Sequence, residues 1–179
     1  VKYTEETSVI SIAKDISESL ARNVISAKFN EKVIETNSII KEDGKLEFYT
    51  WDNDDGKKAF WHSSSHVMAQ SIQELFPEAK LTIGPAINNG FYYDVDLGDK
   101  KISESDFEKI ETRMLEICRE KHDFKLRLVS KKDALQFYKK QNNDYKIELI
   151  NDLNDGEISF CDHSNFTDLC KGGHIPNTS

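Results

Sequence analysis

The chain has 179 residues, 37% of them hydrophobic and 31% charged, with a net charge of −8. That size suits two modest globular domains; no apolar run approaches membrane-spanning length, and no signal peptide opens the sequence. The acidic total argues against a surface coated for nucleic acid, and three cysteines without framework spacing point to reduced thiols in a cytoplasmic setting.

The pattern predicts an α+β fold. Apolar residues at Val9, Ile12, Ala13 and Ile16 form a helical stripe capped by Thr7 or Ser8. Short strands are expected over 25–30, 32–35 and 45–50, joined by turns at Asn30-Glu31 and Glu42-Asp43-Gly44. The apolar-free stretch from Asp52 to Lys58 is the best domain boundary, dividing the chain into 1–52 and 53–179. A helix should run from about Lys58 to Leu75, where Pro77 stops it, followed by strands over 81–83 and 90–95 around the Asn88-Asn89-Gly90 turn. Ser105 and Glu108 form a capping box for a helix whose core stripe is Phe107, Ile110, Met114 and Ile117. Residues 124–129 alternate like a half-buried strand, Ser130 and Asp133 open another helix, and 146–150 and 158–161 are further candidate elements.

Charge is unevenly spread. Between Arg119 and Lys146 the balance is +5, which leaves −13 for the remainder. On charge alone this is a solvated face; a local phosphate-facing surface is the functional alternative.

The chemistry-bearing residues come in two pairs. His62 and His66 are separated by three residues, and so are Cys170 and His174. That spacing puts both members on one helical face, and two such pairs brought together make a pocket of nitrogen and sulfur able to grip an ion, a water or an ester. A single histidine pair also arises by chance on a polar face; its coupling to Cys-x-x-x-His favours function. Gly172 and Gly173 would let backbone N–H groups approach a ligand, with an ordinary turn as the competing reading. Asp168 shares a side with Cys170 if the chain is extended there. Ser63, Ser64 and Ser65 lack a base partner and read as helix filler. His122 and His163 read as packing or surface, and Cys118 and Cys161 as structural.

Four ordered motifs carry a family resemblance: His62-x-x-x-His66, Ile83-Gly84-Pro85, the run from Asn89 to Asp94, and the run from Asp168 to Thr178. Together they resemble the amino-terminal editing region of threonyl-tRNA synthetases, and the first fifty residues resemble the ubiquitin-like TGS domain that precedes it. The resemblance implies a small β-grasp domain over 1–52, of whose opening hairpin only a second strand at 1–4 remains, followed by an editing domain over 53–179. It also implies a cytoplasmic piece of a longer enzyme, without the threonine-activating and anticodon-binding domains. The missing initiator Met and the ending at Pro176-Asn177-Thr178-Ser179 agree with that expectation.

The implied activity is hydrolysis of serine mistakenly esterified to tRNA(Thr). Serine lacks one methyl of threonine, a difference worth only ~1–3 kcal/mol in binding, so a second pocket is needed to correct the error. The implied working set is His62, His66, Lys146, Asp168, Cys170 and His174. His62 would orient or deprotonate a water, and Lys146 would stabilise developing negative charge or position a second water. Asp168 would hold the substrate amino group or orient a neighbour, and Cys170 and His174 would read the serine side chain. Tyr93, Gly172 and Gly173 would line the substrate near the tRNA 3′ ribose. The resemblance implies metal-free editing; zinc, if bound, would sit among His62, His66, Cys170 and His174. Alanyl-type editing modules share both paired motifs, are metal-dependent and lack a TGS domain. The competing readings are therefore a free-standing factor of that type and a non-catalytic, metal-stabilised binding module.

Overall fold

Ser8 Oγ accepts from the Ser11 N–H at 3.2 Å, and the residues that follow place Val9, Ile12 and Ala13 inside. In the computed structural model, which describes residues 2–3 and 5–179, this gives helix α1 (Val9–Ile16) after a two-residue strand β1 (Thr7–Ser8). Ile16, expected in the buried stripe, is exposed, because extended Ser17 breaks the helix and caps a second one, α2 (Glu18–Asn23). The strand expected over 1–4 lies partly outside the described residues, and Lys2 and Tyr3 carry no strand pairing.

Strands β2 (Ser26–Phe29) and β3 (Lys32–Ile34) are joined by Asn30 and Glu31, both at positive φ, a hairpin turn suited to the right-handed strand twist. β4 (Ile39–Ile40) pairs with β1, and β5 (Leu46–Tyr49) completes an antiparallel sheet of order β3-β2-β5.

The helix α3 (Asp54–Leu75) begins at Asp54 rather than near Lys58. Asp54 and Asp55 suit the positive end of the helix dipole, so most of the polar stretch is first turn rather than loop. Pro77 follows its end, as expected. α3 is rich in small buried residues, and two of the three serines do more than fill it. Ser63 Oγ receives the Ile175 N–H at 3.0 Å, and Ser65 Oγ donates to the Gly84 carbonyl at 2.9 Å, tying two loops to the helix.

The single strand expected over 90–95 is two. β8 (Gly90–Phe91) closes a tight hairpin with β7 (Ala86–Ile87) across Asn88 and Asn89, while β9 (Val95–Asp96) pairs with β6 (Lys80–Leu81). Helix α4 (Glu104–Glu120) is capped by Ser103 with Asp106, not by Ser105 with Glu108. The same Ser-x-x-acid spacing occurs in both registers, and the upstream one lets the helix start earlier. Of the expected stripe, Phe107 is exposed, while Ile110 and Ile117 are buried.

β10 (Lys125–Leu128) is the edge of an antiparallel sheet of order β10-β11-β12, with β11 (Ser159–His163) and β12 (Phe166–Leu169). The half-buried face expected over 124–129 is realised only at its start: Phe124 is buried, whereas Leu128 is 75% exposed. Between β10 and β11 lie α5 (Lys131–Lys140), capped by Ser130 as expected, and α6 (Asp144–Asn151). The result is an α+β arrangement with antiparallel sheets. The core is centred on α3: Val67, Ala69 and Ile72 each enter a different buried cluster, and one of these joins Ile117, Phe124, Cys161 and Cys170.

Candidate active site

One turn of α3 separates His62 from His66, and their Nε2 atoms are 3.2 Å apart. The second pair arrives differently. Residues 170–174 follow β12 as a loop, not a helix, so the helical face expected for Cys170 and His174 does not exist. Gly172 and Gly173 adopt φ of 88° and 86°, a left-handed conformation that folds the chain back on itself. Cys170 Sγ thereby lies 3.3 Å from His174 Nε2 and 3.4 Å from His62 Nε2. One donor atom from each of His62, His66, Cys170 and His174 falls within 4.8 Å of the others. Two segments more than a hundred residues apart thus meet in one cluster, of which only His62 is partly exposed.

Asp168 sits two residues before Cys170 on the same side of extended chain, as its position predicts. It is 4% exposed. Its Oδ1 pairs with Lys146 Nζ at 2.5 Å and accepts from the Leu169 N–H at 2.8 Å and Tyr138 Oη at 3.3 Å. Its Oδ2 accepts from Tyr93 Oη at 2.5 Å and lies 3.7 Å from His66 Nδ1. Lys146 projects inward from α6 and is 2% exposed. Every residue of the expected set is therefore gathered around one centre. Among the described residues Asp168 Oδ1 has three donors around it, while Oδ2 accepts one hydrogen bond, from Tyr93, with His66 Nδ1 beyond hydrogen-bond distance.

Glu35, just past β3, was not legible as a site residue. Its Oε1 accepts from the Gly173 N–H at 3.0 Å and lies 3.4 Å from His174 Nδ1. Cys161 Sγ, at 3.6 Å, is the other neighbour of that nitrogen. A Cβ at Gly172 would stand 2.9 Å from Glu35 Oε1 and 2.8 Å from Leu126 Cδ2, and one at Gly173 would stand 3.3 Å from Val33 Cγ1. The glycine pair is thus where the end of β3 meets the cluster. No local pattern in the sequence links position 35 to position 174. Tyr138, which holds Asp168 and the Leu169 amide together, was missed because it reads as an ordinary apolar residue of α5.

Burial sets the protonation states. It lowers His62 to about 4, helped by the charge of His174 and opposed by a backbone hydrogen bond with Gly173. His66 is driven well below the ordinary histidine range, again by burial first. Cys170 is pushed up to about 12 by burial against the pull of the Gly172 N–H, so it is a thiol rather than a nucleophilic thiolate. Burial opposes ionisation of Glu35, but the hydrogen bond and charge of His174 and the Gly173 N–H outweigh it, and its carboxyl is held low. Burial and Asp168 keep the Tyr93 hydroxyl protonated.

The donor set fits a tetrahedral soft metal: three imidazoles and one sulfur, with carboxylates behind two of the rings. His66 Nδ1 is buried without a hydrogen-bond partner, and a ligating Nε2 would turn it toward Asp168 as a donor. Without metal, the same cluster can orient a water at the partly exposed His62 edge. Among the described residues, no helix is long and apolar enough to cross a membrane.

No protein-family model matches the chain. Nearly its whole length is similar to threonine–tRNA ligases. It is 65% identical to that of Flavobacterium psychrophilum over 93% of this chain and 26% of the relative. It is 60% identical to that of Flavobacterium johnsoniae over 99% of this chain and 27% of the relative. The ligase of Clostridioides difficile is 45% identical over 99% of this chain and 28% of the relative. The chain thus spans about a quarter of the length of the curated relatives it matches.

Proposed function

We propose that this chain is the amino-terminal editing part of a cytoplasmic threonine–tRNA ligase, with a TGS-like β-grasp unit over 1–52 and an editing domain over 53–179. Its reaction is hydrolysis of serine from mischarged tRNA(Thr). The observation that carries this reading is the convergence of His62, His66, Cys170 and His174 on one centre, partly exposed at His62. Its partners are the 3′ end of tRNA(Thr) with its serine ester, and the ligase and anticodon-binding domains of a longer protein.

Attack of water on an aminoacyl ester needs a held water, somewhere for its proton, and donors to the forming oxyanion. His62, uncharged because its value is near 4, offers a ring nitrogen that orients the water; so low a basicity makes it a better anchor than proton sink. Lys146 supplies fixed positive charge at the pocket wall through Asp168. The carboxylate of Asp168 holds the Tyr93 hydroxyl and faces His66, and it serves to orient these neighbours or to hold the substrate amine. Tyr93 presents its ring to the ribose side, and Cys170 and His174 form the wall that meets the serine side chain, with Gly172 and Gly173 shaping the approach. The reading is metal-free. Zinc, if bound, would be held by His62, His66, Cys170 and His174 and would activate the water as a Lewis acid.

The test is deacylation of seryl-tRNA(Thr), threonyl-tRNA(Thr) and seryl-tRNA(Ala) by wild type, His62→Ala and Cys170→Ala, with zinc analysis before and after chelation. The expected result is preference for seryl-tRNA(Thr) and a loss of about 10²-fold or more in His62→Ala. Full rate in both variants removes the site assignment. Preference for the alanine tRNA favours the free-standing factor, and a stoichiometric zinc required for turnover overturns the metal-free reading. Unfolding on chelation without any ester hydrolysis favours the binding module.

A further inference from the structure

We infer that Glu35, contributed by the small amino-terminal sheet, is a positioning residue of the ester-hydrolysing pocket: it holds His174 in the Nδ1–H tautomer and fixes the Gly172–Gly173 loop. This deepens the hydrolytic reading above and rests on it for its functional consequence, though not for its structural one.

Two separate observations carry it. First, one carboxylate oxygen serves two groups of the pocket, the Gly173 N–H at 3.0 Å and His174 Nδ1 at 3.4 Å. Second, the left-handed glycine at 172 leaves no room for a Cβ where Glu35 approaches, and that at 173 would hold one only in tight contact with Val33. The loop is therefore built to admit this particular segment. Glu35 lies on a short connection, where Ser38 N–H bonds its carbonyl at 3.0 Å and the Ile10 N–H bonds that of Thr36 at 2.7 Å. The carboxylate is thereby anchored to β1 and α1 rather than carried on a free loop.

The chemical consequence follows from the two nitrogens of an imidazole. In its neutral form the His174 ring carries one proton, and an acceptor at Nδ1 places it there. His174 Nε2 then faces Cys170 Sγ at 3.3 Å as a lone pair, able to receive the thiol proton. Cys161 Sγ, at 3.6 Å from Nδ1, is a weaker acceptor than a carboxylate and does not decide the tautomer. With the proton on Nε2 instead, the ring would present a donor to the pocket, and the Cys170 thiol would lose its acceptor there. A metal at the cluster would need the same tautomer, so the role of Glu35 holds with or without one.

Two substitutions of similar volume separate hydrogen bonding from packing. Glu35→Gln keeps an acceptor oxygen and removes the charge; Glu35→Met keeps the bulk and removes the acceptor. Imidazole 15N shifts of His174, recorded on the whole chain, read the tautomer without reference to activity. Seryl-tRNA(Thr) deacylation reads kcat and KM. We expect the Nδ1–H pattern in wild type and Glu35→Gln, with hydrolysis close to wild type in the latter. Glu35→Met should give a mixed or Nε2–H pattern and a kcat lower by about 10-fold or more, with KM unchanged. An Nδ1–H pattern persisting in folded Glu35→Met overturns the proposal, as does equal impairment of the two variants. Wild type that fails to hydrolyse the ester while its tautomer still depends on position 35 defeats the editing reading and leaves Glu35 as an orienting group.

Discussion

Lys146 and Asp168 form the most heavily buried ion pair of the molecule's interior among the described residues, at 2.5 Å. Removing one member of such a pair costs about 3–5 kcal/mol, because the other is left charged in a low-dielectric site. The two members are not equivalent here. Asp168 keeps donors from Tyr93, Tyr138 and the Leu169 amide if the lysine is lost, whereas Lys146 has no second anion within ion-pair distance among the described residues. Asp168→Asn should therefore lower the unfolding free energy by about 3–5 kcal/mol and Lys146→Met by less, with the double variant recovering part of the loss. Urea unfolding of the four proteins measures this; small and additive effects would show that the pair is not coupled. His163 gives a second residue-scale expectation. Its ring is buried with both nitrogens unpartnered, and burial, then the charges of His174 and His122, lower it to about 4, against the opposing pull of Asp162 and Glu74. The unfolded chain takes up that proton first, so the stability concerned is complete above about pH 6.5 and is lost as pH falls towards 4. The loss is about 3 kcal/mol from this ring. His62 and His66 shift in the same direction. His163→Phe should flatten, without abolishing, the fall in unfolding free energy between pH 7 and 4.

At the scale of elements, α3 does the most to place the site, and its first turn is unexpectedly constrained. Gly56 is buried, and a Cβ there would overlap the Thr50 carbonyl oxygen at the end of the preceding strand segment. Gly56→Ala, ordinarily stabilising in a helix, should here cost about 1–3 kcal/mol by overpacking, read as a lower melting temperature. An unchanged or raised melting temperature would mean that the junction yields freely. This contact also explains what the sequence left illegible. A run of Asp, Asn, Gly and Lys looks like a linker because local composition reports solvation, whereas packing of the glycine on Thr50 depends on a partner outside the window. The same division holds elsewhere. Elements set by local chemistry were readable: the Ser8 and Ser130 caps, the stop before Pro77, the turn at Asn30-Glu31. Those decided by tertiary partners were not, as with exposed Leu128 on β10, the switch of partners between β8 and β9, or the choice of Ser103 over Ser105. The site divides likewise. The paired motifs, Asp168 and Lys146 follow from sequence and resemblance, but Glu35 and Tyr138 enter only through contacts with distant segments.

At the scale of the whole molecule, an acidic chain of net charge −8 has to receive a polyanion if its substrate is tRNA. The densest basic run to meet it lies between Arg119 and Lys146, where the balance is +5. Its lysines are not interchangeable. Lys131 is a structural anchor: its Nζ donates to the Asn151 and Leu153 carbonyls at 2.8 Å each, closing the end of α6. Arg127 is tied to Asp162. Lys132, Lys139 and Lys140 are exposed on α5, and among the described residues no ion pair engages them. If this face meets the phosphate backbone, each such contact releases condensed counterions and steepens the dependence of binding on salt by about 0.7–0.9 in the log–log slope. Reversing Lys132, Lys139 and Lys140 to Glu together should flatten that slope by about 2–3 and raise KM for the aminoacyl-tRNA. Because α5 does not carry the pocket histidines, kcat at saturating tRNA should stay near wild type. Identical salt slopes for wild type and the triple variant would place the tRNA elsewhere, leaving the basic segment as a solvated face.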